Sequence, residues 1–300
     1  MPTERSGGKF MDGTAAKNIP LEKQFALAAA VLALAFAVPL WHLVRFAAGD
    51  ELHSYVLLMP AVCAYLAWQD KNKLSAGAPA KKIAAGFFLA GIFALAGKFV
   101  FRSSSPVDEL SLTTCSFVLL LAGAGFWIFG TAGMRVLAFP FSMLIFFIPM
   151  PDFLRDALET GLQHGSAVVA GWLFSISDVP VLHDGLIFRL PNISLEVAQE
   201  CSGIHSTMVL FITSLVAGHF FLRSPWRRAA LCLFVIPLAL LRNGFRVFVL
   251  GELCTHIGPQ MIDSPIHHRG GPLFFALSLL PFFLLLYLMR RAEAKHQTKQ

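Results

Sequence analysis

Long apolar runs recur along this chain at close to the length that crosses a bilayer. No other feature restricts its fold as strongly. About 20 apolar residues in a helix span the hydrocarbon core, where backbone polar groups must find partners inside a helix or a closed barrel. Such runs occupy residues 25–44, 53–69, 83–101, 110–129, 134–150, 204–222, 229–250 and 272–289. The second is short and the fifth carries prolines. The pattern predicts an all-α, polytopic membrane bundle of about eight transmembrane helices. Composition agrees: 14% of the residues are charged, against about 25% in an ordinary soluble domain.

The net charge of +6 would suggest a nucleic-acid surface in a soluble protein. Here 16 of the 24 Lys and Arg sit in short clusters between or at the ends of the apolar runs. They are Arg5, Lys9, Lys17 and Lys23, then Lys71, Lys73, Lys81 and Lys82, then Arg135, then Arg223, Arg227 and Arg228, and finally Arg290, Arg291, Lys295 and Lys299. Eight crossings place all of these clusters on one side, which the positive-inside rule makes the cytoplasm. Nucleic acid is thereby excluded as a partner, and membrane lipid surrounds the chain. The expected organisation is a cytoplasmic N-terminal arm (1–24), one membrane-embedded domain (25–290) and a cytoplasmic basic tail (291–300), in the inner membrane. No small-residue cleavage site follows the first run, so it reads as an uncleaved anchor.

The one long inter-run segment, 151–203, then faces the extracytoplasmic side. Residues 153–176 read as a helix of mixed surface, with Arg155, Asp156, Glu159, Gln163 and His164 interrupting Leu154, Leu158, Leu162, Val169 and Trp172. Spanning, re-entry and an interfacial position all suit such a helix. Residues 178–200 read as extended, with turn signals at Pro180, His183-Asp-Gly185 and Pro191-Asn192. A small hairpin of Leu186–Leu190 with Ile193–Val197 leads toward Cys201.

Cys201 lies just ahead of the apolar run 204–222, at the outer end and near the N-terminus of the predicted helix. Unpaired N–H groups and the helix dipole favour a thiolate there. Ser202 and Gly203 are small and permit close approach by a substrate backbone. Position alone fits a packing thiol equally well. The run 229–250 travels outward and carries Arg242 and Arg246 four residues apart, hence on one helix face. An Arg within such a run is costly and is usually functional or paired. Asn243 and Gly244 keep this part of the helix polar or small. The loop after Gly251 brings His267 and His268 to the same outer face, where a His exchanges protons near neutral pH. A Cys, an Arg and a His from three separate stretches suit nucleophilic acyl transfer.

Cys63, Cys115 and Cys232 fall within apolar runs and read as packing residues, and a Cys201–Cys254 disulfide would rule out a nucleophile. No metal is expected, because His256, His267 and His268 lack a zinc-ligand spacing. No cofactor is expected either, since no Gly-rich phosphate loop occurs.

The same residues carry a family resemblance. Ala198-Gln-Glu-Cys201-Ser-Gly-Ile204, Asn243-Gly-Phe-Arg246 and His267-x-x-x-Gly271 resemble the three signature motifs of the exosortase/archaeosortase family. His53-Ser-Tyr55, Phe139-Pro140 through Pro149-Met-Pro151, and Asp184-Gly185 with Leu195-Glu-Val197 extend the resemblance over about residues 50–285. It implies a membrane cysteine protease-transpeptidase that cleaves C-terminal sorting signals of exported proteins. Such a signal has a Pro-Glu-Pro-type motif, a transmembrane helix and a basic tail. It also implies Cys201 as nucleophile, Arg246 as oxyanion stabiliser and His267 as acid/base, with Ser202, Gly203, His205, Arg242, Asn243 and His268 around the substrate. The partners implied are membrane-anchored exported proteins and an unidentified acyl acceptor. His205 stands where the family commonly has Arg or Asn, so His205 and His268 remain rivals to His267. The alternative class is a multi-pass transporter, or a membrane subunit of polysaccharide or lipid assembly, with Arg242 and Lys98 lining a pathway.

Overall fold

The computed structural model describes residues 20–74, 77–100, 105–177, 179–191, 193–197, 202–263 and 270–297. The chain divides into two compact units, Met1–Arg45 with Val56–Ile148, and Phe46–Tyr55 with Pro149–Gln300.

The first unit is helical. Helix α1 (Leu21–Ala35) turns into α2 (Ala37–Gly49) through a 78° bend. Pro39 causes it, because a proline has no N–H to donate to the carbonyl of Ala35. Helices α3 (Tyr55–Gln69) and α4 (Lys81–Val100) follow, and α4 packs along the 31-residue α5 (Pro106–Val136). Helix α5 starts with Ser105 accepting the Asp108 N–H at 3.2 Å, Pro106 in the first turn, and Asp108 and Glu109 at the positive end of the helix dipole. Inside α5, Gly130 takes φ +67°, and a Cβ there would fall on the carbonyl oxygen of Ala78. The loop before α4 docks at that kink.

The apolar run 134–150 was expected as one crossing, and the structure divides it. Its first residues complete α5; the short α6 (Ala138–Met143) and a 3-10 turn (Leu144–Phe147) take most of the rest. Pro149 and Pro151 have no N–H with which to continue a helix.

The second unit holds the inter-run segment and the last three long helices. Helix α7 (Asp152–Ser175) realises the helix expected at 153–176. A three-stranded antiparallel meander follows: β1 (Leu182–Asp184), β2 (Ile187–Arg189) and β3 (Ser194–Glu196). The expected hairpin is β2–β3, and β1 adds a strand through a turn at Gly185, where φ is +60°. Strand β1 is thus the addition to the expected helical bundle with its small hairpin. Its inward side chains, Phe188 and Leu195, are cross-strand partners. They close over Ala167, Ala170 and Phe174 of α7 and Val247, Leu250 and Cys254 of α9 (Pro225–His256). Helix α8 (Ile204–Phe221) starts where the apolar run starts, and packs with α9 and α10 (Gly271–Gln297) through Leu210, Leu231, Val235, Phe282 and Leu286. Helix α10 continues to Gln297 and so includes much of the expected basic tail.

Among the described residues, α5, α8, α9 and α10 are long and apolar enough to cross a bilayer. The number rises to six if two broken helix pairs each count as one span. Helix α3 has 15 residues with Pro60 inside it, and α4 carries Lys81, Lys82 and Lys98. Large apolar side chains face outward, among them Leu34 (76% exposed), Phe93 (79%) and Leu280 (68%). Lipid satisfies such faces, and backbone polarity is consumed inside the helices. The chain is a polytopic helical membrane protein.

Phe188 is fully buried beneath the sheet. Phe188→Ala should lower stability by about 3 kcal/mol or more, read as a lower thermal transition of the purified protein. An unchanged transition would contradict the packing described.

Candidate functional site

One group of polar residues of the second unit gathers at the N-terminus of α8. Gly203 is the N-cap, with φ +69°, and offers no capping side chain. Its carbonyl oxygen accepts from Ser206 Oγ at 3.0 Å, Thr207 Oγ1 at 2.8 Å and Arg242 Nη2 at 3.2 Å. The same Nη2 lies 3.3 Å from Thr207 Oγ1, which accepts from it because its own proton goes to Gly203. A Cβ on Gly203 would stand 2.8 Å from Arg242 Nη2 and 3.3 Å from Asn243 Oδ1. Both the positive φ and this approach require glycine.

Helix α9 is held there by α7. Asn243 donates to Ser166 Oγ at 3.1 Å, and both residues are buried. Farther along α7, the buried amide of Gln163 donates to the carbonyl of Val197, at the end of β3. Two helices therefore hold the described chain at Val197 and at Gly203, on either side of Cys201 in the sequence. Gln163 fixes the chain four residues before it, and Arg242 fixes it two residues after.

The segment Phe46–Tyr55 adds a third wall. His53 is fully buried beside Phe46, and its Nδ1 lies 2.9 Å from Asp50 Oδ2. Ser54 donates its hydroxyl proton to the Glu51 carbonyl at 2.9 Å. Its oxygen, 3.4 Å from His205 Nε2, is then left to accept. This long contact favours the tautomer of His205 with the proton on Nε2 and Nδ1 as the acceptor. Partial burial raises the pKa of Asp50. The His53 hydrogen bond, the His53 charge and the N–H groups of Leu52 and His53 outweigh burial, and the carboxyl sits below its ordinary value of 3.8.

The structure brings Ser202, Gly203, His205, Arg242 and Asn243 together. Ser202, Arg242 and Asn243 are buried, and His205 is half-buried in the first turn of α8. Arg246 lies one turn beyond Arg242 on α9 and is half-buried. Cys201, His267 and His268 lie outside the described residues. Cys254 is a free thiol, fully buried under the sheet. Among the described residues, no three His, Cys, Asp or Glu side chains group as metal ligands. The first unit holds an apolar cavity of about 450 Å³ lined by Leu43, Val56, Pro60 and Phe117 among others, with Cys63 as its sole titratable lining group.

Sequence reasoning named Gln163 only as a polar interruption of its helix, and passed over Ser166 and Thr207. Gln163 and Ser166 are one helical turn apart, an i,i+3 pair on one face of α7. That spacing was the available signal. The Asp50–His53 contact likewise has the spacing of a local pair, whereas nothing in the sequence joins Ser54 to His205.

Fold and site together define a polytopic helical membrane protein with a polar cluster at the start of one of its membrane helices. The chain belongs to the transmembrane exosortase family, whose sequence pattern matches residues 41–284, from α2 into α10. No curated protein and no solved structure matches the chain.

Two outcomes test this geometry. Gly203→Ala should lower both the thermal transition and any activity, because Arg242 must move or φ must change. Retention of both at the level of the unaltered protein would refute the required glycine. Asp50 has a depressed folded pKa, so its contribution to stability is complete above its unfolded value and is lost as pH falls through the folded one. Thermal transitions measured downward from pH 5 should drop as pH passes below 3.8, and less steeply in Asp50→Asn. Identical slopes would contradict the Asp50–His53 contact.

Proposed function

We propose that this chain is a membrane cysteine protease-transpeptidase that cleaves C-terminal sorting signals of membrane-anchored exported proteins. Membership of the transmembrane exosortase family supports a membrane-embedded protease that processes sorting signals. One structural observation carries the finer reading. Arg242 of α9 is hydrogen-bonded to Gly203, which ties the Asn243-x-x-Arg246 segment to the backbone two residues beyond Cys201.

In this mechanism the Cys201 thiolate attacks the scissile carbonyl, forming the S–C bond and a tetrahedral oxyanion. Arg246 stabilises that charge. Collapse breaks the C–N bond, and the leaving amine takes its proton from His267. A thioester remains on Cys201. Water or an acceptor amine then attacks it and gives up a proton to the same base, and the S–C bond breaks to release the Cys201 thiolate, restoring the starting state. The remaining elements are eight spans, both termini in the cytoplasm of an inner membrane, and a reaction centre on the extracytoplasmic face. Clusters of Lys and Arg between the apolar runs support that orientation.

Cys201→Ala should abolish processing of a co-expressed tagged substrate, followed by its size on gels; continued processing would eliminate the thiol mechanism. His267→Ala should reduce the rate by about 100-fold or more, and a similar loss in His205→Ala or His268→Ala alone would move the acid/base role to that residue. A membrane-impermeant thiol reagent applied from outside should label Cys201, and labelling only after membrane disruption would reverse the orientation.

A further inference from the structure

The apolar cavity of the first unit is bordered by two breaks in the helical packing. Phe25 of α1 and Leu40 of α2, from either side of the 78° bend, both line it, as do Pro140 of α6 and Phe147 of the 3-10 turn. Helix α3 supplies one face, Val56, Pro60, Cys63 and Ala67, spaced by successive turns. Phe117 of α5 and Leu144, each 8% exposed, form inner wall. Val44 (44% exposed) and Leu57 (42%) also line the cavity and are reached from outside. It therefore opens sideways, between α2 and α3.

Among the described residues, the lining includes no charged, amide or hydroxyl side chain. Water needs several polar partners in a protein interior, and the side chains here supply only the weak thiol of Cys63. An extended peptide would bury N–H and C=O groups without partners. A helix with its side chains is about 10–12 Å across, so the volume of about 450 Å³ takes about one turn of it. A vacant space of this size would forfeit the dispersion contacts of its walls. Hydrocarbon alone fits. A cavity of about 150 Å³ holds one benzene ring, so this one holds about three times as much, about 18 carbons. From Val56 to Ala67 the lining follows α3 for about 16 Å, close to half of the ~30 Å hydrocarbon core and hence to the reach of one chain in one leaflet.

We propose that this cavity binds one acyl chain of a bilayer phospholipid, which enters between α2 and α3. The site depends on the membrane character of the protein and not on the protease reading. The headgroup stays outside, because the lining has no polar side chain to receive it. The bound chain completes packing that the broken helices leave open. Position separates it from the lipid around the bundle. A surrounding chain touches outward side chains such as Trp41 (61% exposed), Leu58 (61%) and Tyr65 (55%). A chain in the cavity touches Phe117 and Leu144.

The test uses the full-length protein in phosphatidylcholine nanodiscs in which a small share of the lipid carries a diazirine midway along one acyl chain. After irradiation and digestion, adducts are mapped by mass spectrometry. They should appear on Phe117 and Leu144 as well as on the outward residues. Ala64→Phe fills the cavity from its mouth. It should reduce the adducts on Phe117 and Leu144 about fivefold or more, the population change set by the lower end of an overpacking penalty, while outward adducts persist. Ala61→Phe, exposed one turn away and outside the lining, should leave the map unchanged. Thermal transitions in the same nanodiscs check that both variants fold, and Leu57→Trp at the mouth replaces Ala64→Phe if the latter does not. Adducts confined to outward residues in the unaltered protein overturn the proposal without recourse to any variant. Adducts on Phe117 and Leu144 that survive in the folded mouth variant overturn it as well. Loss of those adducts when an apolar transmembrane peptide is added in excess would assign the cavity to a protein helix, which also overturns it.

Discussion

Helix α9 can lie close against α7 because Gly244 has no side chain. A Cβ at Gly244 would stand 2.6 Å from Val169 Cγ1 and 3.0 Å from the carbonyl oxygen of Ser166. Small residues are what allow membrane helices to approach and exchange hydrogen bonds, since lipid competes for every ordinary apolar contact. At this crossing Asn243 reaches Ser166. The contact sets the position of α9, and with it the place from which Arg242 reaches Gly203. It also sets the platform of α7 and α9 on which the meander closes over Phe174.

The same crossing explains why Gln163, Ser166, Asn243 and Arg242 face inward together. Gln163, Ser166, Asn243 and Arg242 would each be costly facing lipid. Turned inward, Gln163 holds the end of β3, Ser166 and Asn243 hold each other, and Arg242 holds the start of α8. Cys201 lies in the stretch of chain between the two held ends. The second unit also contains Phe46–Tyr55, from far earlier in the sequence, so Ser54 reaches His205 across 151 positions.

Much of this was legible in advance because period and punctuation are local. The start of α8 follows Gly203 where polar sequence gives way to apolar. Residues 186–190 and 193–197 showed the strand composition and turn residues that β2 and β3 use. The helix at 152–175 was readable even with its mixed surface. Hydropathy alone failed at 134–150, where proline chemistry and the continuation of α5 override an apolar run. It also shortened α9 and α10, whose charged ends remain helical although they leave the apolar stretch.

The sequence by itself determined that this chain is a membrane helical bundle, because a bilayer admits few ways to satisfy a backbone and each apolar run declares its solution locally. Through the family resemblance it also grouped Ser202, Gly203, His205, Arg242, Asn243 and His268 around Cys201, Arg246 and His267; of these, Cys201, His267 and His268 lie outside the described residues. Only the tertiary structure decided how that group is joined: Arg242 to Gly203 and Thr207, Asn243 to Ser166, and His205 to Ser54. Those contacts depend on which helix faces meet and how closely. That in turn is set by the absence of a side chain at positions such as Gly203 and Gly244, whose neighbours in space are distant in the chain.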